Sequence, residues 1–292
     1  MRKLLALAAL GTSLAFLPPA GEARAATVLA AGDAANCAYT NDTATGNLIN
    51  GLSGTVLALG DLAYSNGTEA EFTNCYAPVW GSFKSRTWPV PGNHEYNTTG
   101  AAGYFSYFGT AAKPSGKSYY RKVVGNWSVY ALDNYVASGP TSAQAVWLES
   151  QLKADPNRCQ IAYWHEPYIS SGSAHGNSDR AKSLFALAYK YKVEIVLAGH
   201  DHNYERFAEM RPDRQPANLA AGERGVRLFT VGTGGVPQRG KGSTKAGSQK
   251  FANGSGVLQL TLGNTGSYAW NFKNASGSSI SDSGSGTCLP AA

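Results

Sequence analysis

Several features that would direct attention elsewhere are missing from this 292-residue chain. After the N-terminal apolar run no segment is apolar for long enough to cross a bilayer, so no membrane span is expected in the mature protein. Lysine and arginine are scattered rather than clustered and no nucleic-acid-binding motif occurs, so the formal charge of +6 reads as a mildly basic soluble surface. The four cysteines include no CxxC pair, the usual sign of a zinc ribbon or redox site. There is no repeat of solenoid length and no convincing linker, which argues for one domain. Histidine is scarce as well, with five in the chain. Two of these, His200 and His202, stand together in GHDHNYER, at the end of the apolar run VEIVLAG.

What is present begins with a leader. Arg2 and Lys3 precede an apolar stretch from Leu4 to Leu17, Pro18 and Pro19 break it, and Ala23-Arg24-Ala25 supplies the small residues that a signal peptidase reads. Residues 1–25 are therefore expected to be a secretory signal peptide, cleaved after Ala25. The absence of a twin-arginine pair favours the general export route. Cleavage leaves 267 residues, 26–292, with a formal charge of +4. Cys37, Cys75, Cys159 and Cys288, an even number in an exported chain, imply two disulfides with three possible pairings.

Five apolar runs end alike. TVLAAGD (27–33), TVLALGD (55–61), TWPVPGN (87–93), QIAYWH (160–165) and VEIVLAGH (193–200) each finish at Asp, Asn or His. Continuous runs of this length read as strands buried on both faces. Between them, 142–154 and 178–192 carry helical stripes, Ala145-Leu148-Leu152 in the first and Leu184-Leu187-Ala188-Tyr191 in the second. The alternation argues α/β layers. Two hairpins are expected, around Gly125-Asn126 and around Gly263-Asn264-Thr265-Gly266. The Ser/Gly-rich tail 276–286 would pass for a loose end, but Cys288 beyond it argues that it is tied down.

Ligands gather at the carboxyl ends of strands in open α/β sheets. Delivered there are Asp33, Asp61 with Tyr64 three residues on, Asn93 followed by His94, then His165, His200 and His202. Singly each has a plain explanation: Asp after Gly suits a turn, Asn93 suits a left-handed position, and Tyr64 could simply pack. Repetition at five strand ends favours metal. Carboxylates and a phenolate suit a trivalent ion, whereas imidazole and amide suit zinc, manganese or ferrous iron. Seven ligands are too many for one small ion and about right for two sharing a carboxylate, the arrangement that clamps the oxygens of phosphoryl transfer.

The ordered blocks GDA (32–34), GDLAY (60–64), GNHE (92–95), WHEP (164–167) and GHDHNYER resemble the calcineurin-like metallophosphoesterases, specifically the purple acid phosphatase branch. GVRLFTVGTGG (225–235) and the end SDSGSGTC (281–288) are similar to secreted bacterial members that lack an N-terminal β domain. The resemblance implies a four-layer α/β/β/α sandwich of two mixed sheets flanked by helices. It also implies that Asp33, Asp61, Tyr64 and His202 hold a ferric ion, that Asn93, His165 and His200 hold Fe(II), Zn or Mn, and that Asp61 bridges the two. By the same resemblance His94 is the candidate general acid and His175 a weaker one. One departure is the first block, which runs GDAANC through Ala35 and Asn36 to Cys37, so the local loop geometry is expected to differ.

The implied activity is hydrolysis of a phosphate monoester by a metal-bound hydroxide, outside the cytoplasm. Two other readings are carried: a phosphodiesterase acting on nucleotides, phospholipid or wall polymers, and a secreted protein that binds metal or phosphate without turnover. Glu166, Asp133, Tyr204 and Glu205 are read as orienting or structural groups. Cys37 and Cys75 follow ligand-bearing strands, while Cys159 precedes its strand, so the expected pairs are Cys37–Cys75 and Cys159–Cys288. Oligomeric state is left open by the sequence.

Overall fold

The computed structural model describes residues 25–156 and 159–288. The expected signal peptide and its cleavage point therefore fall almost wholly outside the described residues. Thirteen strands are described. They are β1 (Ala26–Ala31), β2 (Thr55–Leu59), β3 (Thr87–Val90), β4 (Tyr120–Val124), β5 (Trp127–Ala131), β6 (Cys159–Tyr163), β7 (Ile195–Ala198), β8 (Tyr204–Met210), β9 (Val226–Val231), β10 (Ser248–Ala252), β11 (Gly256–Leu262), β12 (Ser267–Asn274) and β13 (Ser283–Thr287). They form two mixed sheets, ordered β13-β12-β11-β1-β2-β3 and β10-β8-β9-β7-β6-β5-β4. All five apolar runs are strands, and β1–β3 lie parallel in the first sheet while β6 and β7 lie parallel in the second.

The sheets pack face to face. Side chains meet across the gap at Trp127 with Tyr268, Tyr204 with Phe272 and Phe229 with Trp270, at ring-centroid distances of 5.8, 4.7 and 5.9 Å. Central strands β1, β2, β6 and β7 are covered on both faces, hence their unbroken Val, Leu, Ile and Ala. In β12 only Tyr268, Trp270 and Phe272 turn inward, so that strand alternates.

Helices cover the outer faces. The second sheet carries α5 (Ala143–Ala154) and α6 (Lys182–Lys190), whose Leu148, Leu152, Leu184, Phe185 and Ala188 pack with strand residues such as Ala162, Val196 and Leu228. Ser142 caps α5 by accepting from the Ala145 amide at 3.1 Å. On the first sheet lie α1 (Asn41–Asn50) and a helical stretch made of α2 (Glu69–Glu71), a π-helical turn at Phe72–Tyr76, α3 (Ala77–Trp80) and a 3-10 segment at Gly81–Arg86. A further helix, α4 (Ala102–Phe108), packs on that stretch. The layers run α/β/β/α, as the resemblance implied.

Both hairpins are present, as antiparallel β4–β5 and β11–β12. The Ser/Gly-rich tail is not loose: Ser283–Thr287 forms an edge strand on β12, and Cys288 is bonded to Cys159. Small residues are what this edge demands, because a Cβ on Gly284 or Gly286 would strike Trp270 or Tyr268 at 2.2 or 2.4 Å. The second disulfide joins Cys37 to Cys75 across a Cα separation of 4.8 Å.

Candidate metal centre

The carboxyl ends of β1, β2 and β3 from one sheet meet those of β6 and β7 from the other, and the seven expected ligands occupy those ends. Close approach there requires glycine. A Cβ on Gly60 would come within 2.6 Å of the His165 Nδ1, and one on Gly199 within 2.6 Å of an Asp33 oxygen. The left-handed position offered above for Asn93 belongs instead to Asp33, Asp61 and His200, at φ of 59, 51 and 71°. Such backbone is unfavourable for a residue with a Cβ by roughly 1 to 2 kcal/mol and is characteristic of functional sites. It turns each side chain back over its strand end.

Four donors cluster on one side. The Tyr64 hydroxyl lies 3.0 Å from Asp33 Oδ1, 3.2 Å from Asp61 Oδ2 and 3.3 Å from His202 Nε2, with His202 Nε2 at 3.5 Å from Asp33 Oδ1. On the other side His165 Nε2 stands 3.1 Å from the same Asp61 Oδ2 and 3.2 Å from His200 Nδ1. Asp61, His165 and His200 are buried and their ligand atoms lie within 4.8 Å of one another, close enough to hold one ion. Asp61 Oδ2 thus belongs to both groups. Asn93 sits at the rim, its Oδ1 accepting from the Tyr135 hydroxyl at 3.4 Å, and its neighbour His94 donates a backbone N–H to Asp61 Oδ1 at 2.9 Å.

The imidazoles are aimed by bonds on their far side. His165 Nδ1 contacts the Leu59 carbonyl at 2.8 Å and His202 Nδ1 the Pro237 carbonyl at 2.9 Å. A carbonyl can only accept, so both Nδ1 atoms carry hydrogen, and in the neutral ring Nε2 is left as a lone pair facing the cluster. In His200 the roles reverse: Nδ1 faces His165 and Nε2 lies 3.8 Å from the Glu166 carboxylate.

Burying so many donors distorts their titration. Burial, with the Asp61 charge, raises Asp33 to about 7. Burial lowers His200 to about 2, helped by the charge of His165, and lowers His202 to about 4, helped by Arg239. Burial also opposes charge on His165, but the Asp61 carboxylate outweighs it and raises that ring to about 10. His165 in turn overcomes the burial of Asp61 and holds its carboxyl well below the ordinary range. Asp61 and His165 thus each favour the charged form of the other. The donor set fits metal ions, whose positive charge its carboxylates would meet.

Three groups at the site escaped the sequence reading. Glu95 is fully buried and accepts from the backbone N–H groups of Asp61, Leu62, Ala63 and Gly92 at 2.8, 2.7, 3.3 and 2.7 Å, tying the end of β2 to the end of β3. The only hint was its place in GNHE. Tyr135 braces Asn93, and Arg239 contacts the Nε2 of His175. Nothing in the sequence around Arg239 pointed to the site. His175 itself lies over His200 with ring centroids 4.0 Å apart, and burial lowers its pKa. His94 presses its Nδ1 to the Ser65 carbonyl at 2.5 Å, so its Nε2 points inward, 3.8 Å from Asp61 Oδ2.

The groups read as orienting or structural divide. Glu166 faces His200 and pairs with Arg180, and buried Asp133 accepts from Tyr96. Tyr204 and Glu205 serve the fold, bonding Asp282 and the Ser171 amide. The departing first block is accommodated by a parallel bridge from Ala35 to Ala63 and by the Cys37–Cys75 bond.

Fold and donors together define a two-sheet sandwich with a metal-competent centre at its meeting strand ends. Residues 24–204 match the family model described as calcineurin-like phosphoesterase, and the chain belongs to that family. It is similar to purple acid phosphatase 21 of Arabidopsis thaliana, 28% identical over 252 residues that cover 76% of this chain and 54% of the relative. It is also similar to probable purple acid phosphatase 20 of the same plant, 30% identical over 180 residues, covering 53% and 40%. The chain thus spans about half the length of these relatives. A purple acid phosphatase from yellow lupin seeds has the same fold, with a TM-score of 0.76 at 19% identity over 92% of this chain and 55% of that one. So does the Plasmodium protein described as the anchor in the inner membrane complex, with a TM-score of 0.68 at 17% identity over 91% and 90%.

Proposed function

We propose that this chain is an exported metal-dependent phosphoester hydrolase that acts on phosphomonoesters from two ions. The observation that carries the reading is Asp61 Oδ2, which stands in contact with Tyr64 on one side and His165 on the other. Asp33, Asp61, Tyr64 and His202 would hold the first ion, ferric by the hardness of its donors, and Asn93, His165 and His200 the second, as Fe(II), Zn or Mn. When bound, the pair supplies charge to neutralise phosphate and makes water acidic enough to act as nucleophile at neutral pH. The remaining work belongs to the chain. His94, fixed through Nδ1, presents Nε2 as a proton carrier for the departing ester oxygen. His175, over His200, is the second group in reach of it.

Two disulfides support export, since such bonds persist in oxidising compartments. Residues 26–292 are proposed to act as one catalytic unit, because the centre draws on both sheets and the tail closes onto the first. The test is Asp61→Asn in purified protein, read by metal content and by hydrolysis of nitrophenyl phosphate. Loss of one or both ions together with turnover is expected. Two ions retained at a near-normal rate would remove the basis of the assignment, and wild-type protein that binds metal yet cleaves neither monoester nor diester would return the non-catalytic reading.

A further inference from the structure

Each of the other described arginines sets its guanidinium against a carboxylate or a backbone carbonyl. Arg239 does not. Among the described residues its guanidinium meets only the imidazole of His175, and it lies half-buried beside the donor cluster. A cation left without an anion beside a centre built for metal needs an explanation.

Its placement is fixed by the backbone. The Arg239 N–H donates to the His202 carbonyl at 2.9 Å. On either side of Lys241, the Ser173 N–H donates to Gly240 at 2.9 Å and the Gly242 N–H to Ser171 at 2.7 Å, so loop 236–242 is laced to the loop that carries His175. Arg239 therefore touches His202 through its main chain and, through His175, the ring of His200. His200 and His202 belong to the two different donor groups. The guanidinium meets His175, whose ring lies over His200, and its charge is felt at His202, so it stands beside both groups.

We propose that Arg239 grips the phosphoryl group of the substrate and makes the site prefer phosphomonoesters to diesters, an inference that rests on the hydrolase reading above. Oxygen count gives the reason. A monoester has three non-bridging oxygens and a second negative charge, so with two oxygens committed to the centre one remains for a guanidinium fork. A diester has only two such oxygens, and its second ester group carries carbon where the fork would bond. Because the loop is already laced in place, little ordering accompanies the contact.

The test titrates metal-loaded wild type, Arg239→Ala and Arg239→Lys with inorganic phosphate by calorimetry, then compares kcat/KM for nitrophenyl phosphate and bis(nitrophenyl) phosphate. Arg239→Ala should weaken phosphate binding by about 10- to 100-fold, the usual worth of a charged hydrogen bond. It should also lower the monoester-to-diester ratio by about tenfold or more, and Arg239→Lys, which keeps the charge without the fork, should recover part of both. Unchanged phosphate affinity or an unchanged ratio would overturn the proposal. So would the loss of any effect of Arg239→Ala in a His175→Ala background, since Arg239 would then act only by positioning His175. Wild type inert towards both esters would sink the hydrolase reading, while the phosphate titrations would still decide whether Arg239 holds phosphate.

Discussion

His94 is set apart from the other imidazoles by where its ring is held. Its Nδ1 is tied to Ser65 and its ring lies 4.3 Å from that of Tyr64, leaving Nε2 beside the donor cluster while the ring stays partly exposed. A group so placed can exchange its proton with solvent and deliver it inward. The need for that proton depends on the leaving oxygen. His94→Ala is expected to slow hydrolysis of an alkyl phosphate by about 10²- to 10⁴-fold, the usual worth of general acid catalysis, and that of nitrophenyl phosphate far less. The comparison requires variants that retain both metals. Equal losses would assign His94 to phosphate binding and leave His175 as the proton donor. Tyr64 lends itself to a colour test: a phenolate on a ferric ion should tint the protein, and Tyr64→Phe should bleach it. Colourless, active, iron-free protein would make Tyr64 a plain oxygen ligand.

The two disulfides act on different elements. Cys37–Cys75 links the loop after β1, which carries Asp33, to the helical stretch over the first sheet, across 38 residues of sequence. Cys159–Cys288 spans 129 residues and pins the C-terminal edge strand to the start of β6, away from the centre. Chain-entropy arithmetic gives about 4 and about 5 kcal/mol respectively. The Cys159→Ser/Cys288→Ser double variant should therefore melt lower yet keep its metal, whereas Cys37→Ser/Cys75→Ser should also bind metal more weakly. Melting curves with metal analysis check both, and equal metal loss in the two variants would contradict the assignment of roles. The five site-bearing strands, both hairpins and the two helices over the second sheet were legible, from continuous apolar runs, turn residues and helical stripes. Less was legible over the first sheet. Phe72, Tyr76, Trp80 and Phe83 are buried at intervals of four, four and three, a helical stripe passed over amid turn-forming Asn, Pro and Gly. Helix α1 hides better, since it turns Asp42, Thr45 and Gly46 inward with Ile49. Gly46 lies against the Val79 carbonyl, where a Cβ would come within 2.3 Å, and no apolar pattern signals that contact. At the centre the proposed ligands stood out as strand-end residues. Arg239 did not, because it is brought there by contacts between distant segments, and Glu95, though close to Asn93 in sequence, did not because its role is to bind backbone N–H groups at the ends of two strands.

Across the molecule, the metal-free centre should couple stability to pH. His165 is raised to about 10 by Asp61, so its contribution is whole below about 6.5, the ordinary value, and is lost as pH rises towards 10. Asp33 and Glu95, both raised to about 7 chiefly by burial, act in the same sense: their contribution is whole below the ordinary carboxylate range and is lost as pH rises from there to about 7. His200 and His202, lowered to about 2 and about 4, act oppositely and oppose them below about 6.5. Chelated protein should therefore vary little between about pH 4.5 and 6.5 and melt progressively lower above it, with a limiting slope of about 1.4 kcal/mol per pH unit per proton. Metal-loaded protein should not show that decline, and thermal melts of both forms from pH 5 to 9 decide it. The bonds that aim His165 and His202 from behind have a kinetic consequence. A ring held to Leu59 or Pro237 cannot swing off a bound ion alone, so release waits for the 199–206 segment to open, breaking the His202 bonds to Pro237 and Arg239 together. Stripping by a chelator should accordingly reach a plateau rate set by the protein's own breathing, however much chelator is added. A rate that climbs in proportion to chelator would mean that the ions depart without it.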